Sequence, residues 1–263
     1  MHAFFHLIRP GYSISGLAVG LLVGLTGVGG GALMTPLLVL VFGIRATTAV
    51  GTDLLYACIT KTAGTAVHGF SGTVEWPIVR RLAAGSVPAT ALTLIVLAHF
   101  RNRLDSNSTV ITTVLGLALI LTAISIVFRK WILDSLAQFP AKLSARGITS
   151  LTVLLGVVLG VLVSLSSVGA GAIGVTFLLI LYPKLPAAKL VGTDIAHAVP
   201  LTLVAGIGHW FIGSIDAVLL VSLLVGSIPG VILGSYISAR VPDRVLRPVL
   251  AGTLAVVGAR LSL

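Results

Sequence analysis

Acidic residues are scarce: seven Asp and Glu stand among 263 positions, and all charged residues together make up only 9% of the chain, against roughly 25% in an average soluble domain. So low a charge density argues against water as the main solvent. A single cysteine, Cys58, excludes a disulfide framework or a thiolate metal site within one chain. Basic residues outnumber acidic ones, 17 to seven, but most of them fall in short connections between apolar runs, for example Arg101 and Arg103, Arg129 and Lys130, and Lys184 and Lys189. There they suit contact with lipid headgroups rather than nucleic acid.

What the chain does have is hydrophobic sequence, 57% of its residues, with a mean hydropathy of +1.13. Eight apolar stretches approach or reach bilayer length: Ile8 to Val28, Thr47 to Val67, Ile78 to Ala98, Val110 to Phe128, Ile148 to Leu165, Leu190 to Phe211, Ala217 to Ile237 and Val245 to Val257. Two shorter pieces, Ala32 to Phe42 and Ala172 to Leu181, lie between them. The runs are continuous rather than alternating, so an all-α polytopic membrane protein is expected and a membrane β-barrel is excluded. Arg9 before the first run imitates a signal peptide, but the run continues into a glycine-rich motif without a clear cleavage site, as a retained helix would.

The chain repeats itself. GLTGVGGGA, Gly24 to Ala32, matches SLSSVGAGA, Ser164 to Ala172, at five of nine positions. One residue later the offset settles at 141, where Val50-Gly51-Thr52-Asp53 meets Val191-Gly192-Thr193-Asp194, His68 meets His209, Glu75 meets Asp216, and Gly85-Ser86-Val87-Pro88 meets Gly226-Ser227-Ile228-Pro229. Two transmembrane halves follow, 1–133 and 134–263, each a glycine-broken element and then three helices. Because the broken element leaves the number of crossings per half open, parallel repeats are the alternative to the inverted repeats expected here.

A glycine break at membrane depth gives up helical hydrogen bonds, a cost that is relieved where the backbone lines a polar cavity. The helix that restarts after it offers free N–H groups and a positive dipole end to an anion. Candidate substrate-binding residues are therefore Thr26, Gly29, Gly30 and Gly31 in the first motif and Ser166, Ser167, Gly169 and Gly171 in the second. Close helix packing by small residues is the competing explanation. A nucleotide loop is not supported, since no GK[ST] follows the glycines and no βαβ pattern surrounds them.

Ionisable groups within spans are costly and usually functional. Lys61 sits near the middle of its run, shares an approximate helical face with Thr65 and His68, and aligns with the uncharged Thr202. His68 and His209, expected to lie near one another across the repeat axis, could bind substrate, relay protons or close their helices. Thr52-Asp53 and Thr193-Asp194 have the form of helix N-caps, and both aspartates, with His197 nearby, could instead support or couple the site by balancing Lys61.

The duplicated glycine element and the VGTD segment after each copy resemble the sulfite exporter TauE/SafE family, also called the toluene sulfonate uptake permeases, from about Ser13 to Gly258. The second motif departs from the first, with Ser167 and Ala170 in the places of Gly27 and Gly30. The resemblance implies a permease of small sulfur-containing anions such as sulfite, organosulfonates or sulfoacetate-like compounds, in a prokaryotic inner membrane, without a cofactor or metal. The expected partners are the anion and the bilayer, with a homo-oligomer compatible. Residues alone lead to an anion-handling membrane protein; the sulfur comes from the resemblance. A passive anion channel is the runner-up, and an intramembrane enzyme the third reading, disfavoured because no GxSx nucleophile has a convincing partner and VGTD lacks the second glycine of a GxGD pattern.

Overall fold

The structure is a computed structural model that describes residues 9–26, 31–70, 72–99, 108–136, 138, 143–169, 171–212, 214–238, 252 and 255–261. All its regular elements are helices: α1 (Pro10–Thr26), α2 (Gly31–Leu40), α3 (Ala46–Phe70), α4 (Trp76–His99), α5 (Ser108–Val127), α6 (Arg129–Ser135), α7 (Ala145–Ser166), α8 (Ala172–Leu181), α9 (Ala187–Phe211) and α10 (Ala217–Ser238). The all-α expectation is met.

Apolar side chains drive these helices, and their hydroxyl residues remain compatible with lipid because most return a hydrogen bond to their own backbone. Thr122, Thr152, Ser164 and Thr202 each donate to the carbonyl four residues earlier, at 2.6 to 2.8 Å. Ser144 caps α7 by accepting from the Gly147 N–H at 3.1 Å.

Eight crossings are not reproduced by length and composition. Among the described residues three helices qualify, Trp76–His99, Ala145–Ser166 and Ala187–Phe211, with a fourth if Thr112–Val127 and Arg129–Ser135, bent by 69°, form one span. Helix α3 matches α9 in length, 25 residues each, but six threonines against two, with Asp53 and Lys61 both well inside the helix, lower its apolarity. The two short apolar pieces are helices of their own, α2 and α8, ten residues each. Most of Val245 to Val257 lies outside the described residues.

The repeat is visible in the elements themselves. Gly31 and Ala172 open the short helices, Ala46 and Ala187 the 25-residue helices, and Trp76 and Ala217 the next ones, each pair 141 positions apart. Packing then crosses between the repeats: α1 lies along α10, and its counterpart α7 lies along α4. Small residues allow both approaches, since a Cβ at Gly16 or Gly20 would strike the Leu223 or Ser227 carbonyl, while one at Gly156 or Gly160 would strike that of Leu82 or Ser86.

The equivalent helices α3 and α9 pack directly against each other, and they run antiparallel. Gly51, near the start of α3, abuts Ser214 and His209 at the far end of α9; Gly192, near the start of α9, abuts Thr73 and His68 at the far end of α3. These contacts exchange under the repeat offset, as do the hydrogen bonds from the Glu75 N–H to Thr193 Oγ1, 2.9 Å, and from the Asp216 N–H to Thr52 Oγ1, 3.2 Å. Reciprocal contacts of this kind are the mark of a two-fold relation.

Candidate substrate site

Helix α3 positions the ionisable residues of the first repeat and α9 those of the second. The VGTD segments do not cap these helices. Thr52-Asp53 and Thr193-Asp194 begin six residues inside α3 and α9, which start at Ala46 and Ala187. The threonines do serve helix starts, but across the repeat boundary, because Glu75 and Asp216 immediately precede α4 and α10. Thr193 also donates to the Lys189 carbonyl at 2.6 Å, so both threonines are committed to structure.

The aspartates are left facing the bundle interior, 0% and 2% exposed. Asp53 Oδ2 accepts from Thr35 Oγ1 of α2 at 2.5 Å, and the Ser167 hydroxyl lies beside the same carboxylate. The Asp194 carboxylate presses on Gly174 of α8, where any side chain would collide with it. Neither Oδ1 atom has a hydrogen-bond partner.

Lys61 is half-buried, in the field of both Asp53 and Asp194 and close enough to act on His197. One turn further along α3, the Thr65 hydroxyl is buried without a partner. The structure thus brings Lys61, Asp53, Asp194 and His197 into one electrostatic neighbourhood at the α3–α9 contact. His197 is fully buried and pairs through Nε2 with Ser86 Oγ at 2.9 Å. Tyr56, its counterpart in the first repeat, lies beside Ser227, the counterpart of Ser86.

His68 and His209 are not neighbours. His209 is buried against Gly51 and bonds through Nε2 to the Ser164 carbonyl at 2.9 Å, whereas half-buried His68 bonds through Nδ1 to Thr73 Oγ1 at 2.9 Å. The 17 residues from Gly51 to His68 correspond to about 25 Å of helix, so the antiparallel pairing of α3 and α9 sends the two histidines to opposite ends.

Between α7 and α8 the helical path breaks. Ser166 Oγ donates to the Leu162 carbonyl at 2.7 Å and accepts from the Val168 N–H at 3.2 Å, closing the end of α7. Ser167 adopts a left-handed conformation, φ 58°, and its hydroxyl is unpartnered; Gly169 has φ 114°, a region that a side chain disfavours. Gly171 precedes α8, whose start no side chain caps. In the first repeat Thr26 ends α1 and Gly31 begins α2; Gly29 and Gly30 lie outside the described residues, as does the side chain of Thr26. Val168 shares a hydrophobic cluster with Leu33, two residues into α2, so the second break approaches the short helix of the first repeat.

Two arrangements escaped the sequence reading. Thr35 has a signal, its alignment with Thr176 at the repeat offset, and Ser86 lies within the matched GSVP segment; partners from other helices gave no local sign.

The sulfite exporter TauE/SafE family model matches residues 12–261 of this sequence. The chain belongs to the sulfite exporter TauE/SafE family. It is 42% identical over 249 residues to a Bacillus subtilis (strain 168) protein named "Probable membrane transporter protein YjnA", covering 94% of this chain and 97% of that one. It is 31% identical over 247 residues to "Probable membrane transporter protein YdhB" of the same organism, covering 92% and 96%. No solved structure matches the TauE/SafE chain significantly. With its apolar helices, membership makes it a multi-pass membrane transporter rather than an enzyme.

Proposed function

We propose that this TauE/SafE protein is a secondary transporter of small sulfur-containing anions such as sulfite, organosulfonates or sulfoacetate-like compounds, acting by alternating access in a prokaryotic inner membrane. The observation that carries the reading is Lys61: an ammonium halfway along α3, at the contact with α9, beside a buried unpartnered Thr65 hydroxyl. A cation at this depth is costly against lipid and profitable in a polar interior that receives an anion. The uncapped start of α8 adds N–H donors of the same sign. Membership of a family of sulfite exporters supports sulfur as the anion's central element.

The halves 1–133 and 134–263 act as inverted repeats in this reading. Support comes from the antiparallel α3–α9 pair and its reciprocal contacts, because equivalent helices of opposite direction place the relating axis in the membrane plane. Rocking of one half against the other would then expose Lys61 alternately to each side.

Uptake of radiolabelled sulfite and of a simple alkanesulfonate into proteoliposomes tests the substrate class. Saturable uptake of either supports it. Uptake of carboxylates with neither sulfur anion transported nor competing would overturn it.

A further inference from the structure

The interior formed by α3 and α9 holds two carboxylates, Asp53 and Asp194, and one ammonium, Lys61, which lies in the field of both. With both acids ionised this set carries one excess negative charge, an unfavourable greeting for an anion and an expensive charge to leave unbalanced. Both carboxylates keep an Oδ1 without a partner, and at Asp53 the hydroxyl of Ser167, itself unpartnered, lies beside the carboxylate.

Three oxygen-bearing side chains therefore converge from three elements: Asp53 from α3, Thr35 from α2 and Ser167 from the junction of α7 with α8. They are 0%, 0% and 8% exposed. Thr35 donates its proton to Asp53 Oδ2, which leaves its lone pairs available. Ser167, in its left-handed conformation, follows the last turn of α7, where the helix dipole favours positive charge. Oxygen donors without nitrogen or sulfur select a hard cation. A single carboxylate favours a monovalent one, and among the described residues no group of three His, Cys, Asp or Glu could hold a metal ion.

The second repeat does not duplicate this arrangement. Thr176, the counterpart of Thr35, turns its hydroxyl back to the Ala172 carbonyl at 2.7 Å, and Asp194 meets Gly174 instead of a hydroxyl.

We propose that Asp53, Thr35 and Ser167 form a sodium site whose occupation balances the interior charge and makes anion binding at Lys61 favourable. The site stands on its own geometry; its coupling to an anion rests on the substrate reading above. Three converging oxygens favour sodium over a proton, which needs only one acceptor. Among the described residues, the charged or titratable groups in the field of Asp53 or Lys61 are Asp194 and His197 of α9 and Tyr56 of α3.

The test is thermal unfolding of the purified full-length protein without sulfur anions, as sodium chloride replaces choline chloride at constant ionic strength, at pH 6 and at pH 8. Wild type is expected to show saturable stabilisation by sodium. Ser167→Ala and Thr35→Val should raise the half-saturating sodium concentration by about threefold to tenfold, Asp53→Asn should raise it further, and Thr176→Val should leave it unchanged. If Asp53→Asn does not fold, the two hydroxyl variants decide. No sodium dependence in wild type, a shift that follows pH and not sodium, or unchanged half-saturation in both hydroxyl variants would overturn the site. Because no sulfur anion is present, a negative result leaves the substrate reading standing. Sodium stabilisation without any response to added sulfite or alkanesulfonate would leave this site standing and remove the substrate class.

Discussion

Cys58 touches its own counterpart: its Sγ lies 4.0 Å from the carbonyl oxygen of Val199, the residue 141 positions later. A position meets its equivalent only where the axis relating the repeats passes. This meeting of equivalents lies at the α3–α9 contact, one turn from Lys61, and under the proposed alternating access it would be the pivot between the halves. Val199→Cys, opposite the native Cys58, should give a pair that crosslinks under mild oxidation and slows transport by immobilising the proposed pivot. Ready crosslinking with unchanged transport would show that no motion occurs there.

The glycines at the ends of α3 and α9 are expected to be irreplaceable for packing. A Cβ at Gly51 would collide with the Ser214 carbonyl and one at Gly192 would approach the Thr73 carbonyl at 2.6 Å, whereas nothing lies within 4 Å of Gly69. Gly51→Ala and Gly192→Ala should each destabilise by about 1–3 kcal/mol, while Gly69→Ala should be neutral or slightly stabilising. Thermal unfolding in one detergent compares them, and equal melting temperatures for all three would contradict the packing.

His209 should prove structural. Its bond to the Ser164 carbonyl ties α9 to α7 in a buried setting, so His209→Ala should cost about 1–3 kcal/mol of stability without altering affinity in the protein that folds. His68→Ala should cost less, because His68 is half-buried and its partner Thr73 is only five residues away. Titration of substrate binding alongside unfolding separates the two effects.

The Glu75–Lys189 ion pair, 2.6 Å and partly exposed, joins the two halves at one end only, since the corresponding positions are Asp216 and Thr48. A double-mutant cycle with Glu75→Gln and Lys189→Gln should give a coupling of about 0.2–1 kcal/mol. A coupling indistinguishable from zero would mean that the pair holds nothing together.

Much of this was legible in the sequence because repetition in sequence became repetition in space. Gly31 with Ala172 and Ala46 with Ala187 open matching helices, and Lys61 stood out as a charge where lipid forbids one. The histidines were misjudged for a geometric reason. Alignment makes His68 and His209 equivalent, but it does not state the direction in which their helices run, and antiparallel packing turns equivalence into separation. Thr52 and Thr193 were misread because a threonine before an aspartate resembles a helix start, while the hydroxyls serve helices of the opposite repeat. The oxygens around Asp53 come from Thr35 and Ser167, 18 and 114 residues away, a convergence that no local pattern announces.

In the proposed reading, Lys61 would supply the fixed positive charge for the substrate. A charge-assisted hydrogen bond contributes roughly 1.5 to 3 kcal/mol, so Lys61→Met should weaken affinity by about one to two orders of magnitude. Lys61→Arg should recover only part, its guanidinium being larger and differently shaped. Equal affinities in all three proteins would return Lys61 to a purely structural pairing with Asp53 and Asp194.

The most direct test of alternating access is counterflow: proteoliposomes loaded with unlabelled sulfite, diluted into a trace of labelled sulfite, with the electrical potential clamped. The account predicts saturable uptake of label, accelerated by the internal sulfite and transiently exceeding equilibrium. Uptake that rises linearly with external sulfite and ignores the internal pool would contradict it.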